Sequence, residues 1–252
     1  MKISEKFYSI QGEGFSVGVP AYFVRLQGCS LMCGGPGGAL MKQGKATWWC
    51  DSETVWRRGN HVAPEQVIID WKQEGVIDRI CTGDIHLIWT GGEPALPNHQ
   101  KDIITVLDLL KEYADNEGIA YSPYNEIETS GTVPLSNELF IRLQQINCSA
   151  KLANSGMSEA MRIKPDVIKQ VVSHYNGTFK FVISIEDDIQ EIERDYIDAF
   201  SIPKNRVCIM PGVDNVADLP ERTRFLFEMT KKYGYRGITR QHILAWDKVT
   251  GV

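Results

Sequence analysis

Apolar positions along the chain fall into two patterns that alternate. Short runs rich in β-branched and aromatic residues, each bounded by Gly, Pro or polar residues, predict strands. They occupy 21–26, 85–89, 126–128, 145–148, 179–183 and 207–210, with 242–246 as a last one. Helical spacing lies between them. Over 101–114 the apolar positions are Ile103, Val106, Leu107, Leu110 and Ala114, and over 218–233 they are Phe225, Leu226, Met229 and Tyr233, three or four apart as one helix face requires. Segments 64–74, 137–146, 165–175 and 185–199 read as further helices. Strand–helix alternation predicts an α/β fold, a mostly parallel sheet with helices outside. The right-handed crossover rule favours a barrel or a partial, TIM-like barrel. Chemistry then belongs just past the carboxyl ends of the strands.

No repeat or low-complexity tract breaks the pattern, so the chain reads as one domain over 1–252. The exception is 34–49, an inserted loop. It opens on Gly34-Gly35-Pro36-Gly37-Gly38, too rich in glycine for regular structure, and reads as a flexible surface loop.

Composition narrows the classes. A chain of 252 residues can bury roughly 70–75% of its unfolded surface and needs no disulfide staples. Its 27 Lys+Arg against 32 Asp+Glu give −5, whereas a nucleic-acid-binding domain is usually basic. No apolar run reaches the ~18 residues of a spanning helix, and Met1–Lys6 has no signal-peptide character. The expectation is a soluble cytoplasmic protein with neither a nucleic-acid nor a membrane partner. Six cysteines are too few for a disulfide scaffold, and in a reducing compartment spaced cysteines point to metal or catalysis. Cys148 and Cys208, in apolar strand-like stretches, read as buried small hydrophobes. Cys29, Cys33 and Cys50 lie close together.

Gly28-Cys29-Ser30-Leu31-Met32-Cys33 follows the first strand directly, and the third cysteine arrives in Trp48-Trp49-Cys50-Asp51-Ser52. Three thiolates cannot fill the four tetrahedral positions of structural zinc. Iron–sulfur clusters normally have four cysteines, so three leave one iron open to bind a substrate or cofactor. Trp89-Thr90-Gly91-Gly92-Glu93-Pro94 ends the next strand. Its glycines let a ligand approach the backbone, and Glu93 can pair with an ammonium group; alone, the motif is also a simple turn.

Together these motifs resemble the radical S-adenosylmethionine (SAM) enzymes. The usual pattern there is Cys-x3-Cys-x2-Cys. This chain keeps Cys29-x3-Cys33 and places Cys50 after sixteen further residues, 34–49. The resemblance makes Cys29, Cys33 and Cys50 ligands of a [4Fe-4S] cluster and Trp49 the aromatic residue at adenine. Gly91, Gly92 and Glu93 then hold the methionine amino group. Around this core, Ser9-Ile10-Gln11-Gly12-Glu13-Gly14, Pro20–Cys29, Cys50-Asp51-Ser52 and Glu128-Thr129-Ser130-Gly131-Thr132 strongly resemble the 7-carboxy-7-deazaguanine synthase family. So do Ser149-Ala150-Lys151, Phe179–Val182, Met210-Pro211 and His242, in order along nearly the whole chain. Ser52 replaces the family's Thr and Ala150 its Pro.

The resemblance implies a lyase that converts 6-carboxy-5,6,7,8-tetrahydropterin to 7-carboxy-7-deazaguanine with loss of ammonia, in queuosine-type biosynthesis. SAM, regenerated each cycle, and Mg²⁺ are required. It also implies an electron donor of flavodoxin or ferredoxin type and a homodimer. Glu128, Thr129, Ser149, Ala150, Lys151, Met210 and Pro211 are placed around SAM. Ile10, Gln11, Gly12, Glu13, Arg25, Thr90 and His242 are placed around the pterin, and Ser52 at Mg²⁺. The side chains suit these roles. Arg25 offers a bidentate fork for a carboxylate, Gln11 and Glu13 can read an amidine-like edge, and Ser52 supplies an oxygen ligand. Each also has a plain reading: Arg25 as a salt-bridge arginine, Asp51 as a helix cap, His242 as a structural histidine. Two rivals remain. An activase of glycyl-radical proteins would share the cluster loop but not Gln11-Gly12-Glu13-Gly14. A zinc-stabilised binding module would use Cys29, Cys33, Cys50 and Cys148.

Overall fold

The computed structural model describes residues 1–252. Its strands are β1 (Lys2–Ile10), β2 (Pro20–Leu26), β3 (Asn60–His61), β4 (His86–Gly91), β5 (Tyr124–Thr129), β6 (Gln145–Cys148), β7 (Gly177–Ile183), β8 (Val207–Pro211) and β9 (Arg236–Gly237). The helices are α1 (Ala39–Lys42), α2 (Glu53–Trp56), α3 (Pro64–Gln73), α4 (Ile77–Thr82), α5 (Pro97–Glu117), α6 (Asn137–Phe140), α7 (Glu159–Arg162), α8 (Pro165–Ser173), α9 (Asp187–Ile192), α10 (Leu219–Tyr233) and α11 (Gln241–Trp246). All strands join one sheet in the order β3-β1-β2-β4-β5-β6-β7-β8-β9. From β2 to β9 every pairing is parallel; β1 runs antiparallel to both β2 and β3. The two ends do not meet, so the architecture is an open, partial barrel with helices outside.

The predicted apolar faces are the buried ones. Ile103, Val106, Leu107, Leu110 and Ala114 of α5 are all buried, and Val67 and Trp71 of α3 pack beside them. Trp71 meets Tyr22 edge-on at 5.7 Å and Trp89 at 6.5 Å, fastening α3 to β2 and β4. Pro97 and Pro165 open α5 and α8, where a missing N–H and a fixed φ cost nothing. β7 and β8 are buried along almost their entire length, as strands covered on both faces must be.

Several expectations change. Segment 242–246 is helical: α11 buries only Ile243 and leaves Leu244 exposed, and the last strand is β9. Only one turn of the helix expected over 137–146 forms, because the sheet takes Gln145–Cys148. The 185–199 helix is α9, continued by a wider π-type turn over Glu193–Asp198. β1 carried no clear strand signal, since most of its positions, on both faces, are half-buried. The Gly34–Gly38 segment is no free loop. It makes a tight turn over Pro36–Gly38, and the Gly34 N–H donates to the Ser155 carbonyl at 2.8 Å.

Period-two alternation turns a second set of side chains inward. Phe7 and Phe23 stack at 5.1 Å and pack with Ala21 and Ile88. Glu126 accepts from Asn147 Nδ2 at 2.7 Å and from His86. Asn147 Oδ1 accepts from Thr178 at 3.0 Å and from Gln145 at 2.5 Å. These hydrogen-bonded groups sit low on their strands, and the cavity opens beyond them.

Candidate active site

A cavity of about 850 Å³ lies at the carboxyl ends of the strands. Every predicted site residue except Glu93 and Ala150 lines it. One wall carries the thiols. Cys29, Cys33 and Cys50 gather with Leu31, Met157, Leu40 and Trp48. The Cys50 N–H donates to the Cys33 carbonyl at 3.3 Å, so the chain leaves this wall at Cys33 and returns to it at Cys50. Burial pushes the Cys29 thiol up to about 12, with Glu93 and the neighbouring thiols adding to the effect. Burial likewise pushes Cys33 up to about 11, opposed by Lys151. Uncompensated, such thiols stay protonated; bound iron would supply the positive charge that makes them thiolates. No three His, Cys, Asp or Glu side chains converge on a single ion. A cluster, whose thiolates each bind a different iron, does not require that they do. Cys148 is not on this wall. Its Sγ lies in the main core, 2.5 Å from where a Cβ on Gly131 would fall, which removes the fourth ligand of a zinc module.

The Gly91-Gly92-Glu93 turn works differently from its sequence reading. A Cβ on Gly91 would fall 2.2 Å from the Leu26 carbonyl oxygen, and one on Gly92 1.9 Å from that of Gly28. The close approach is therefore made by the chain entering the Cys29 turn, clamped by Gly92 N–H to Leu26 O at 3.1 Å and Glu93 N–H to Gly28 O at 2.8 Å. Glu93 is 0% exposed. Its carboxylate accepts from Ala95 N–H at 3.0 Å, Thr129 Oγ1 at 2.8 Å, and the N–H and Oγ of Ser130 at 2.9 and 2.5 Å. Those four donors fill its acceptor sites. Glu93 stands behind the wall and holds Thr129 and Ser130, which line it. Ala150 is likewise buried beneath the surface that Ser149 and Lys151 form.

Across the cavity the pterin-side residues are already engaged with one another. Strand register sets Arg25 beside Thr90. Thr90 donates to Glu128 Oε2 at 2.7 Å, and Gln11 Nε2 to Glu128 Oε1 at 2.9 Å. Arg25 Nε donates to Glu5 Oε1 at 2.7 Å, and that pair is its plain salt-bridge reading. Glu13 accepts from Arg240 Nε at 2.7 Å and from Lys180 Nζ; Arg240 also pairs with Asp51. Burial works to raise the Glu13 carboxyl, but Lys180, Arg240 and His242 overcome it and hold the group well below the carboxylate range. Asp51 is lowered in the same way, its burial outweighed by Arg240. His242 is pushed down, chiefly by burial, against the pull of Glu13. It sits on Gly12, where a Cβ would fall 2.3 Å from its Nδ1, so α11 can rest there only over glycine.

The insert crosses the mouth. Trp49 Nε1 donates to Glu53, which is 2% exposed and also accepts from Gly37 N–H at 3.2 Å and Arg57 Nε at 2.6 Å. Trp48 Nε1 donates to Asn154 Oδ1 at 2.8 Å, and Thr47 N–H to the Asn154 carbonyl at 2.9 Å. Thr47 and Ser184 hydroxyls pair at 2.7 Å. Residues that sequence reasoning missed are therefore Lys180, Arg240, Trp48 and Glu53. Only Lys180 left a trace, a lone cation between Phe179 and Phe181 where a buried strand should be apolar.

The donor sets suit the cofactors that the motifs imply. Three thiols share one wall, and Ser52 Oγ lies 3.5 Å from Cys50 Sγ on the same cavity. Lys151 Nζ, bonded to Ser149 O and Oγ at 2.7 and 2.8 Å, adds a fixed cation nearby. No helix is long and apolar enough to cross a membrane.

No protein-family model matches the chain. Among curated proteins it is 29% identical over 255 residues to the 7-carboxy-7-deazaguanine synthase of Pyrobaculum aerophilum, covering 100% of this chain and 97% of that one. It is 27% identical to the synthase of Halobacterium salinarum, over 98% and 91% of the two chains. The fold matches the crystal structure of QueE from Escherichia coli with a TM-score of 0.62 at 20% identity, over 94% of this chain and 92% of that one. The resemblance read from the motifs, and the open barrel, are borne out.

Proposed function

We propose that the protein is a radical SAM lyase that contracts 6-carboxy-5,6,7,8-tetrahydropterin to 7-carboxy-7-deazaguanine with loss of ammonia. The observation that carries this reading is a single cavity with two unlike walls. Cys29, Cys33 and Cys50 form one. The other presents Gln11, Glu13, Arg25, Thr90, Glu128 and His242, with Lys180 and Arg240 paired to Glu13 on the same wall.

When bound, a [4Fe-4S] cluster on the three cysteines supplies the electron for reductive SAM cleavage, the hard step that belongs to the cofactor. The chain's own residues bind and orient. Thr129, Ser130, Ser149 and Lys151 give SAM polar contacts, supported from behind by Glu93. Arg25, its Nε held by Glu5, keeps the rest of its guanidinium fork for the substrate carboxylate. Gln11, Glu13 and Glu128 form a polar edge for the heterocycle, and Ser52 offers an oxygen to Mg²⁺. Trp48, Trp49 and the rest of the insert cover the mouth and exclude water from reactive intermediates. The reading includes a one-electron donor of flavodoxin or ferredoxin type, a homodimeric assembly, a cytoplasmic location and a product destined for queuosine-type bases.

The test is an anaerobic incubation of reconstituted protein with reductant, SAM, Mg²⁺ and the tetrahydropterin, followed by mass spectrometry. Product formed with little net SAM consumption is expected. SAM cleaved to 5′-deoxyadenosine without product would keep the radical chemistry and discard the substrate. A protein that takes up zinc and cleaves no SAM would overturn the enzyme reading.

A further inference from the structure

We propose that Trp48, not Trp49, is the wall on which the adenine of SAM stacks; this rests on the SAM-binding reading above. The motif resemblance gives that place to the residue directly before the third cysteine. In this chain both indoles line the cavity, but different partners hold them, Glu53 for Trp49 and Asn154 for Trp48.

Trp49 is packed on the insert itself. Its N–H is taken by Glu53, and its Cγ lies 3.7 Å from where a Cβ on Gly38 would fall. The chain at Gly34 closes on it so tightly that a Cβ there would sit 2.6 Å from Trp49 Cα. Its indole is part of the clamp that holds the cysteine wall.

Trp48 reaches across the cavity. On one side it joins the thiol wall with Leu31, Cys33 and Met157. On the other it packs against Val182, Cys208, Met210 and Ile238. Its Cβ lies 3.4 Å from where a Cβ on Gly212 would fall, which places it against the Met210-Pro211-Gly212 segment. Asn154 fixes the ring: it accepts the indole N–H at 2.8 Å and donates its own amide to the Val182 carbonyl at 2.9 Å. Lys151 Nζ lies 5.8 Å from the ring centroid. A purine lying between the thiols and the 210–212 segment therefore meets Trp48, which packs on both walls, while Trp49 packs on Gly34 and Gly38 of the insert. Losing base–aromatic stacking by alanine substitution typically weakens binding about five- to 150-fold.

The test measures equilibrium binding of SAM, 5′-deoxyadenosine and methionine to the anaerobically reconstituted full chain, with iron per chain determined for each variant. Trp48→Ala and Trp48→Leu should weaken SAM and 5′-deoxyadenosine about tenfold, equivalent to about 1.4 kcal/mol, and leave methionine unchanged. Trp48→Phe, which keeps a ring, should recover most of the affinity, and Trp49→Phe should shift SAM binding less than threefold. If Trp48→Ala does not fold, the Leu and Phe variants carry the comparison. A tenfold loss in Trp49→Phe with none in the Trp48 variants would overturn the assignment, as would equal loss of methionine and 5′-deoxyadenosine, which marks a structural role. Wild-type protein that binds iron but no SAM would instead refute the underlying reading, and the proposal with it.

Discussion

Replacing Glu53 with alanine should loosen the thiol wall without touching a thiol. Its carboxylate is buried and joins three parts of the chain: the end of the insert through Trp49, its beginning through Gly37, and the residue after α2 through Arg57. A hydrogen bond to a charged group contributes about 1.5–3 kcal/mol when its partner is buried. Here Trp49 is half-buried and Gly37 exposed, so water can partly replace the lost acceptor. The Arg57 pair has a guanidinium that is 46% exposed and adds only a few tenths of a kcal/mol. The sum is about 2–3 kcal/mol. For a chain of this size each kcal/mol moves the melting midpoint by about 2–4 °C, so apo Glu53→Ala should melt roughly 5–10 °C lower. Glu53→Gln keeps an acceptor for Trp49 and should lose less than half of that. Iron bound per chain after anaerobic reconstitution should fall in Glu53→Ala and stay near wild type in Glu53→Gln. Full iron loading and an unchanged midpoint in Glu53→Ala would show that the insert is held by other contacts and refute the reasoning.

Three further outcomes follow from the same geometry. Gly92→Ala puts a Cβ 1.9 Å from the Gly28 carbonyl and 2.9 Å from Cys29 Cβ, so the Cys29 turn must move; iron per chain should drop by at least half, and full loading would contradict the clamp. Cys148→Ala should leave iron content unchanged and cost about 1 kcal/mol of stability for a small cavity, whereas Cys50→Ala should lose the cluster; equal loss in both would return Cys148 to the ligand set. Glu13 is held below its ordinary 4.5 by Lys180 and Arg240 despite burial, so the folded chain keeps that charge to lower pH than the unfolded one. Its contribution is complete above pH 4.5 and disappears as pH falls through the lower folded value. Melting midpoints of wild type should therefore fall more steeply than those of Glu13→Gln as pH drops below 4.5; parallel curves would remove the network from the stability argument.

The parts that sequence made legible are those where one periodicity dominates. The α5 face and the doubly buried β7 and β8 follow directly from spacing. β1 escaped because a strand half-buried on both faces shows no contrast between its sides. Segment 242–246 looked like a strand because His-Ile-Leu-Ala-Trp is apolar and short, and at that length strand and helix are indistinguishable by pattern. At the site, glycine-rich turns and cysteines announced themselves because few other residues serve there. Arg240 did not, since an isolated charge in a sequence says nothing of the partner it meets far along the chain: Arg240 and Glu13 are joined only by folding. Glu93 shows another limit: its motif is legible in the sequence, but its burial behind Thr129 and Ser130 is not, since those partners come from the next strand.

The expanded spacer is compatible with an unaltered thiol wall for a reason that can be put in magnitudes. Lengthening a closed loop from two residues, as in the usual pattern, to the sixteen of 34–49 is three doublings, about 2 kcal/mol of closure entropy. Each net hydrogen bond returns about 0.5–1.5 kcal/mol. The insert makes such bonds at Gly34 to Ser155, Thr47 and Trp48 to Asn154, and Gly37 and Trp49 to Glu53. These anchors outweigh the added entropy, and they act on both ends of the insert. Because the Cys50 N–H meets the Cys33 carbonyl, the added residues loop out from a point and return to it. The distance along the chain between the second and third cysteines has grown, while their separation across the wall is set by a backbone contact that the insert does not interrupt. What the insert does set is the support of each indole: both line the cavity, Trp49 held to α2 by Glu53 and Trp48 to the opposite wall by Asn154.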